Sequence, residues 1–422
     1  MEVILEVARA SYPAIFVPDE FAPPGYIPPR SLPSSEAYSA AGGFEDPFRE
    51  ALARDSDLSQ FADPPTEHGL RVNASTGLWW RISPRDLAAE LVTYAALRAL
   101  MTGQQTDLPE PFLAETQNAL DELRRLVRGE TSTAYALTGF DGFTPPAGRV
   151  VPTPWGNLRE AREFERAIRA FVPAEATAVL ETHIPVTFTI GESGEVPAEP
   201  DDVMRRVGEA GGRLPLVLVL ATWFSEPSGR VIGDAIWQTT IVPTYPGAQY
   251  TGRLRPRPYF PRSAPPKPSV LDDDQMVEIK RWAGIVDTRY HPSVEIAVGR
   301  TISAIRERLD REDAIIDAVI AWENLFGHAD GSTEVTFRVT TAIARLLEID
   351  PAKRQELVGA LKQVYGVRSK LVHGAEIRPK HRLDERTNLA IDTAVRCLRT
   401  LFESRPELLT EKDRAMRLLL EG

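Results

Sequence analysis

The sequence predicts two architectures in series: an α/β region of mixed helices and a β-sheet, then an all-α helical bundle that runs to the C-terminus. Three observations lead there. Between residues 175 and 243 the apolar segments are short and rich in β-branched and aromatic residues, as strands are. The stretch Pro256–Pro268 then carries six prolines, which remove backbone donors and favour an extended, semi-rigid linker. Beyond it, apolar residues recur at spacings of three and four, the period of packed helices.

Taken in order, residues 1–75 form a segment rich in proline, glycine and acidic residues, with one strand-like stretch at Val3–Ala8 and otherwise irregular structure. A mixed domain follows over residues 76–255. Ser83 suits a helix N-cap, Pro84 the first helical position and Asp86 the acidic first turn. Leu87, Leu91, Tyr94 and Leu97 carry that helix to about Met101. Further helices are expected at Glu110–Leu126 and Asn157–Phe171. Strands are expected at Glu175–Leu180, His183–Ile190, Leu214–Phe224 and Ile232–Pro243. After a linker at 256–270, the helical region 271–422 divides into Asp274–Val286, Val294–Leu309, Glu312–Phe326, Thr333–Leu347, Pro351–Val372, Glu385–Phe402 and a short helix near Glu411–Leu420. Asp350 and Pro351 suit the cap and first turn of the longest of these.

Composition bounds the function. At 422 residues with 26% charged, the chain has the make-up of globular domains. The N-terminus lacks a basic stretch followed by an apolar one, so no signal peptide is expected. The apolar run Leu214–Phe224 is too short to span a bilayer, and no membrane association is expected. One cysteine, Cys397, excludes an internal disulfide and a thiolate metal cluster; it reads as a small core residue, and a cytoplasmic setting is expected. The net charge of -11 argues against a coat for duplex nucleic acid. That charge is uneven: residues 1–150 hold 21 acidic and 12 basic residues, whereas residues 270–422 hold 26 and 24. A site for a single RNA strand needs only local positive charge.

The residues able to carry chemistry lie in the helical region. Arg368 and His373 bracket Arg-Ser-Lys-Leu-Val-His, an i, i+5 pair offset by about 140° on a helix. Gly374 and Pro379 stop that helix, which places His373 in its last turn, where the negative end of the dipole favours cationic forms. The residue types suit cleavage of an RNA backbone. Histidine exchanges a proton near neutrality, and arginine offers a fixed fork of donors to phosphate oxygens. Ser369 can bond a phosphate or orient the imidazole, and Tyr365, one turn earlier, can pack or stack on a base. Between Arg368 and Arg386 six basic residues, among them Lys370, Arg378, Lys380 and Arg382, face three acidic ones, a local guide for an RNA strand. An Arg and a His on a helix also serve as ordinary caps and surface pairs.

Glu323, beside Trp322 in an apolar helix, needs a hydrogen bond or solvent. Arg338 and Arg368 are its candidate partners, and a structural ion pair is favoured over direct participation in chemistry. His328 and Asp330 do not make a metal site, and no phosphate-binding glycine motif is present, so neither metal nor cofactor is expected. Trp79, Trp80, Trp223 and Trp237 read as core rather than cleft aromatics.

The segment Tyr365-Gly-Val-Arg-Ser-Lys-Leu-Val-His-Gly374 resembles the signature of the Apea-like HEPN family. Three further blocks resemble the family in order: Val294–Leu309, Arg311–Phe326 with its glutamate and Leu-Phe end, and Thr333–Leu347. The resemblance covers about residues 293–402. It implies a HEPN-like bundle and a homodimer. It also implies a metal-independent ribonuclease in which Arg368 stabilises the transition state and His373 is the general acid or base. Single-stranded RNA or tRNA would be the substrate, in a prokaryotic stress or phage-defence role. Many nuclease members carry Asn, Asp or His where this chain has Ser369. The family also contains members that bind or assemble without cutting, so a dimerising or RNA-binding scaffold stands beside the nuclease. Under either reading residues 1–255 would receive an unidentified regulator.

Overall fold

A computed structural model of the chain describes residues 2–16, 33–65, 69–75, 79–102, 109–162, 165, 176–191, 202–225, 229–244, 268–306, 308, 310–327, 335–374 and 380–421. The helices among them are α1 (Glu2–Phe16), α2 (Pro33–Gly42), α3 (Glu45–Ala53), α4 (Pro84–Met101), α5 (Pro109–Val127), α6 (Asp202–Thr222), α7 (Asp273–Arg289), α8 (Glu295–Arg306), α9 (Arg311–Phe326), α10 (Val335–Leu347), α11 (Pro351–Val372), α12 (Lys380–Glu403) and α13 (Arg414–Leu420). The strands are β1 (Leu70–Ala74), β2 (Trp79–Ile82), β3 (Ser132–Asp141), β4 (Phe143–Thr144), β5 (Val150–Thr153), β6 (Gly156–Glu160), β7 (Ala178–Val186), β8 (Phe188–Ile190), β9 (Asp234–Ile241) and β10 (Ser269–Val270). All the strands precede the helices of the C-terminal part. The chain divides into two compact units, with one boundary inside α6 at Gly211–Gly212.

The first unit holds α1–α5 and the strands. Its largest sheet has the order β5-β6-β7-β3-β9, and the pairs within it are antiparallel. Strand β3 lies between β7 and β9, and its Ala134, Ala136, Leu137 and Phe140 are closed off from solvent. A three-stranded sheet, β2-β1-β8, pairs Val72 with Trp80 on one side and Ile190 on the other. The helices meet in one apolar core that includes Ile4, Phe48, Leu91 and Phe112. Ser83 caps α4 with a full capping box: its hydroxyl oxygen accepts from the Asp86 amide while the Asp86 carboxylate accepts from the Ser83 amide.

Two networks of paired charges are buried in this unit. Arg98 of α4 reaches Glu115 and Glu122 of α5, each at 3.3 Å, and the Ser132 hydroxyl donates to Glu122. Arg159 lies between Glu165 and Glu181, with nitrogen–oxygen distances of 2.9 Å to each, and His183 joins Glu181 from the same strand at 2.9 Å. Such networks are tolerated because each charge has an opposite partner.

Several sequence expectations are corrected here. Val3–Ala8 is part of α1, not a strand, and much of residues 2–65 is helical: Ile4, Val7 and Ala8 on one face of α1 are fully buried, and that spacing is helical. Residues 157–160, expected to open the helix Asn157–Phe171, belong to β6, paired to β5 and β7. The run Leu214–Phe224 is not a strand; residues 214–222 complete α6, with Leu216, Val217, Leu218, Val219 and Leu220 all buried. A helix enclosed all round is as continuously apolar as a buried strand, so periodicity does not separate the two. The proline-rich stretch 256–267 lies outside the described residues, as do His328 and Asp330.

The second unit consists of helices. Helix α9 packs on α8, α12, α10 and α11. Trp322 on α9 is fully buried and its indole N–H donates to the Ala390 carbonyl of α12 at 3.2 Å. Asp317, also on α9 and 2% exposed, accepts from Arg300 at 2.8 Å, Ser303 at 3.0 Å and Arg308 at 2.6 Å. Cys397 is buried in α12, as its apolar setting in the sequence predicts. Among the described residues no helix is long and apolar enough to cross a membrane.

Candidate functional site

Three chain segments of the second unit surround a cleft of about 900 Å³. The end of α9 supplies Glu323, Asn324 and Gly327; the start of α10 supplies Val335 and Thr336; and one face of α11 supplies Lys362, Tyr365, Gly366, Arg368 and Ser369. The spacing of those α11 residues, i, i+3, i+4, i+6 and i+7, places them along one side of a helix. Gly327 ends α9 with its amide on the Glu323 carbonyl at 2.7 Å. A Cβ there would stand 2.4 Å from that carbonyl oxygen, so the turn into the cleft requires glycine.

Helix α11 is fixed at both ends. Asp350 caps it by accepting from the Lys353 amide at 2.9 Å, with Pro351 at the first position, as the sequence predicts. At the far end His373 is the C-cap residue, and its amide donates to the carbonyls of Ser369 and Lys370, both at 3.2 Å. Gly374 follows with φ +77, the left-handed stop that glycine adopts without strain.

Arg368 and Glu323 face each other in the cleft at 3.7 Å, both partly exposed. Of the two partners considered for Glu323, Arg338 instead pairs with Asp413. An ion pair with this much solvent contributes little to stability, so its main effect is to orient the guanidinium. Arg368 Nε is buried with no hydrogen-bond partner among the described residues, and the Tyr365 hydroxyl is buried against the Glu323 carboxylate without making a close hydrogen bond to it. Burial, and then the charge of Glu323, push the ionisation of Tyr365 upward, so its hydroxyl is a proton donor throughout the neutral range. The Tyr365 ring is packed in the core, 7% exposed and 6.0 Å from the Trp322 ring. Tyr365 therefore offers the cleft its hydroxyl, and the ring belongs to helix packing rather than to a stacking platform.

The cleft brings together Glu323, Tyr365, Arg368 and Ser369. His373 does not line it; the residue is exposed at the helix end. Lys370 and Arg382 are likewise exposed and outside the cleft lining. Arg378 lies outside the described residues, and of Lys380 only the backbone at the start of α12 is described. Sequence reasoning missed Lys362, the second cation of the cleft, whose ammonium stands 5.9 Å from the Phe337 ring centre. Its signal was present: it lies at helical spacing from Tyr365 and Ser369. Among the described residues no group of three or more His, Cys, Asp or Glu side chains could hold a metal ion.

The arrangement is suited to an oxyanion. Lys362, Arg368, Tyr365 and Ser369 offer donors on one helix face, with Glu323 the single carboxylate in the lining among the described residues. Set against protein-family models, curated proteins and solved structures, the chain matches none of them.

Proposed function

We propose that the second unit is a HEPN-type, metal-independent endoribonuclease that holds an RNA phosphodiester in the α9–α10–α11 cleft. What carries this reading is a pair of buried donors beside an open cleft: Arg368 Nε, with no hydrogen-bond partner among the described residues, and the Tyr365 hydroxyl, whose contact with Glu323 falls short of a close hydrogen bond. Buried donors without close partners are costly and call for an explanation; a bound oxyanion supplies one. In the reaction the RNA 2′-hydroxyl attacks the adjacent phosphorus and the bond to the 5′-oxygen breaks, leaving a 2′,3′-cyclic phosphate and a 5′-hydroxyl. Arg368 takes the charge that develops on the non-bridging oxygens, Glu323 keeps its fork in place, and Ser369 bonds the same phosphate. His373 moves the proton, taking it from the 2′-hydroxyl or giving it to the leaving oxygen. Because His373 is not part of the cleft lining of its own chain, the active form is a homodimer in which each His373 serves its partner's cleft.

Cleavage of single-stranded RNAs and tRNAs by the purified chain tests this. The wild type produces cyclic-phosphate ends; Arg368→Ala and His373→Ala each lose activity at least about a hundredfold, the scale of a removed acid–base group. An equimolar mixture of the two inactive variants regains part of it. Wild-type cleavage no faster than His373→Ala, under every activating condition tried, would reject the nuclease. One observation favours a second reading, an RNA-binding and dimerising module: the chain alone does not bring His373 to the cleft. Under it, Arg368→Ala weakens RNA binding while His373→Ala leaves binding intact.

A further inference from the structure

A second pocket of the same unit, about 380 Å³, gathers three arginines from separate segments: Arg230 after α6, Arg308 between α8 and α9, and Arg311 at the start of α9. Among the described residues no carboxylate lines it; the remainder is Trp223, Asn388 and small or aliphatic side chains such as Ile305 and Ile391. In a chain of net charge -11, three guanidiniums around one hollow with no acid among its described lining residues are not a solvated face. The acids that answer them stand outside that lining. Asp317 accepts from Arg308 at 2.6 Å, and Asp384 pairs with Arg311 at 3.2 Å. Asn388 accepts from Arg311 through its Oδ1 at 3.2 Å, which leaves its amide N–H group as a further donor.

Arg230 differs from the other two. Its guanidinium lies over the Trp223 ring at 4.3 Å, its Nε is buried without a hydrogen-bond partner, and among the described residues no carboxylate pairs with it. The Trp223 N–H is taken by Asp392 at 2.7 Å, which fixes the ring beneath the arginine. The pocket also lies at the N-terminal end of α9, where the helix dipole favours negative charge. Glu323 is twelve residues further along the same helix, about 18 Å away at the helical rise, so the pocket is separate from the Arg368 cleft.

We infer that Arg230, Arg308 and Arg311 form a second anion site that takes a phosphate monoester dianion carried on a compact organic body. Guanidinium forks match phosphate oxygens in pairs, and three of them suit a dianion better than the single charge of a phosphodiester. The volume stands near the small end of the ligand-pocket range of roughly 300–1,000 Å³, which suits a mononucleotide-sized molecule. The aliphatic lining suits its uncharged part. Two sources share this chemistry, a free nucleoside monophosphate and the 5′-phosphate end of an RNA strand.

Calorimetric titration of the full-length chain tests the inference with inorganic phosphate, the four nucleoside 5′-monophosphates, the matching nucleosides, and a short RNA with a 5′-phosphate or a 5′-hydroxyl. At least one organic monophosphate binds more tightly than inorganic phosphate; the nucleosides do not bind, and the 5′-hydroxyl RNA binds more weakly than the 5′-phosphate RNA. A preference for the free nucleotide or for the RNA end identifies the source. Arg230→Gln and Arg311→Gln each weaken that binding roughly ten- to a hundredfold, the loss of one charge-assisted contact. Arg230→Gln breaks no ion pair among the described residues and moves the unfolding midpoint only by the lost stacking on Trp223; should it misfold, Arg311→Gln, whose pair with Asp384 is half exposed, decides the matter. Arg368→Ala leaves the titrations with the nucleoside monophosphates unchanged, so failure here is distinct from failure of the nuclease. No binding at millimolar concentration, binding unchanged from the wild type in both arginine variants, or inorganic phosphate binding as tightly as every organic monophosphate would overturn the site.

Discussion

Replacing Tyr365 by phenylalanine separates stability from ligand binding in the cleft. The substitution removes one oxygen and leaves the ring where it packs, 6.0 Å from Trp322. In the folded chain that hydroxyl is buried without a close hydrogen bond, its interaction with the Glu323 carboxylate being a loose one. A buried hydroxyl without a partner costs about 1–3 kcal/mol relative to water, so deleting it should stabilise the second unit by about 1 kcal/mol. If the same hydroxyl donates to a bound phosphate, its removal weakens RNA binding by about 1.4 kcal/mol, or tenfold. Native-state hydrogen exchange at the amides of α9 and α11 reads the first quantity, since it reports opening free energies segment by segment. Fluorescence anisotropy with a labelled single-stranded RNA reads the second. The expected result is slower exchange together with weaker binding, a residue kept for function at the expense of stability. Faster exchange by more than about 1 kcal/mol would mean that the hydroxyl has a structural partner, and the argument from a buried donor without a close partner would fail.

Two further expectations concern the scaffold. Burial, and then the neighbouring Asp86, raise the Glu90 carboxyl on α4 from 4.5 to about 8. Because the folded value is the higher one, this group's contribution is complete below pH 4.5 and is lost as the pH rises through 8. At about 1.4 kcal/mol per pH unit of separation the loss is at most about 5 kcal/mol, and Glu90→Gln should flatten that slope in urea titrations at about pH 5 and pH 9. An unaltered slope would remove Glu90 from the account. In the second unit, Gly374→Ala should cost about 1–2 kcal/mol and loosen the last turn of α11, because φ is +77 while the added methyl meets nothing within 4 Å. Gly374→Asn should cost less, and exchange rates at the amides of His373 and Gly374 measure both.

Local chemistry was the legible part of this chain. Ser83, Pro84 and Asp86 announce α4, and Asp350 with Pro351 announces α11, because a cap is complete within four residues. The apolar run after Leu214 misled because it is buried on every side as a helix, and burial of that kind erases the periodicity from which helix and strand are told apart. Residues 157–160 misled for a different reason: a five-residue strand is set by its pairing with β5 and β7, which the local sequence does not contain. The same division runs through the sites. Arg368, Ser369 and Tyr365 lie within one helical turn of each other, and Glu323 was named with Arg368 as a candidate partner. Lys362, Val335 and Thr336 enter the cleft through tertiary packing. The arginine pocket draws on positions from 230 to 311, with no spacing rule to connect them.

The placement of His373 bears most on the chemistry. Arg368 lines the cleft, whereas His373, five residues on, follows the helix round by about 140° and along it by about 7.5 Å. Its backbone is committed there by the Ser369 and Lys370 carbonyls and by the left-handed Gly374, so rotation of the last turn toward the cleft would break the cap. Within one chain, then, the phosphate-holding group and the titratable group are directed into different sectors by the same helix end. A nuclease built from these two residues must take the imidazole from another copy. That requirement is why the mixture of Arg368→Ala and His373→Ala is diagnostic: in a mixed dimer, one cleft keeps Arg368 and receives the His373 of the other chain, while the second cleft has neither. Half of the dimers formed by random exchange would then carry one intact site, and activity should return to about a quarter of the wild-type level per chain. A site assembled within one chain would give no return at all, since neither variant would carry both groups.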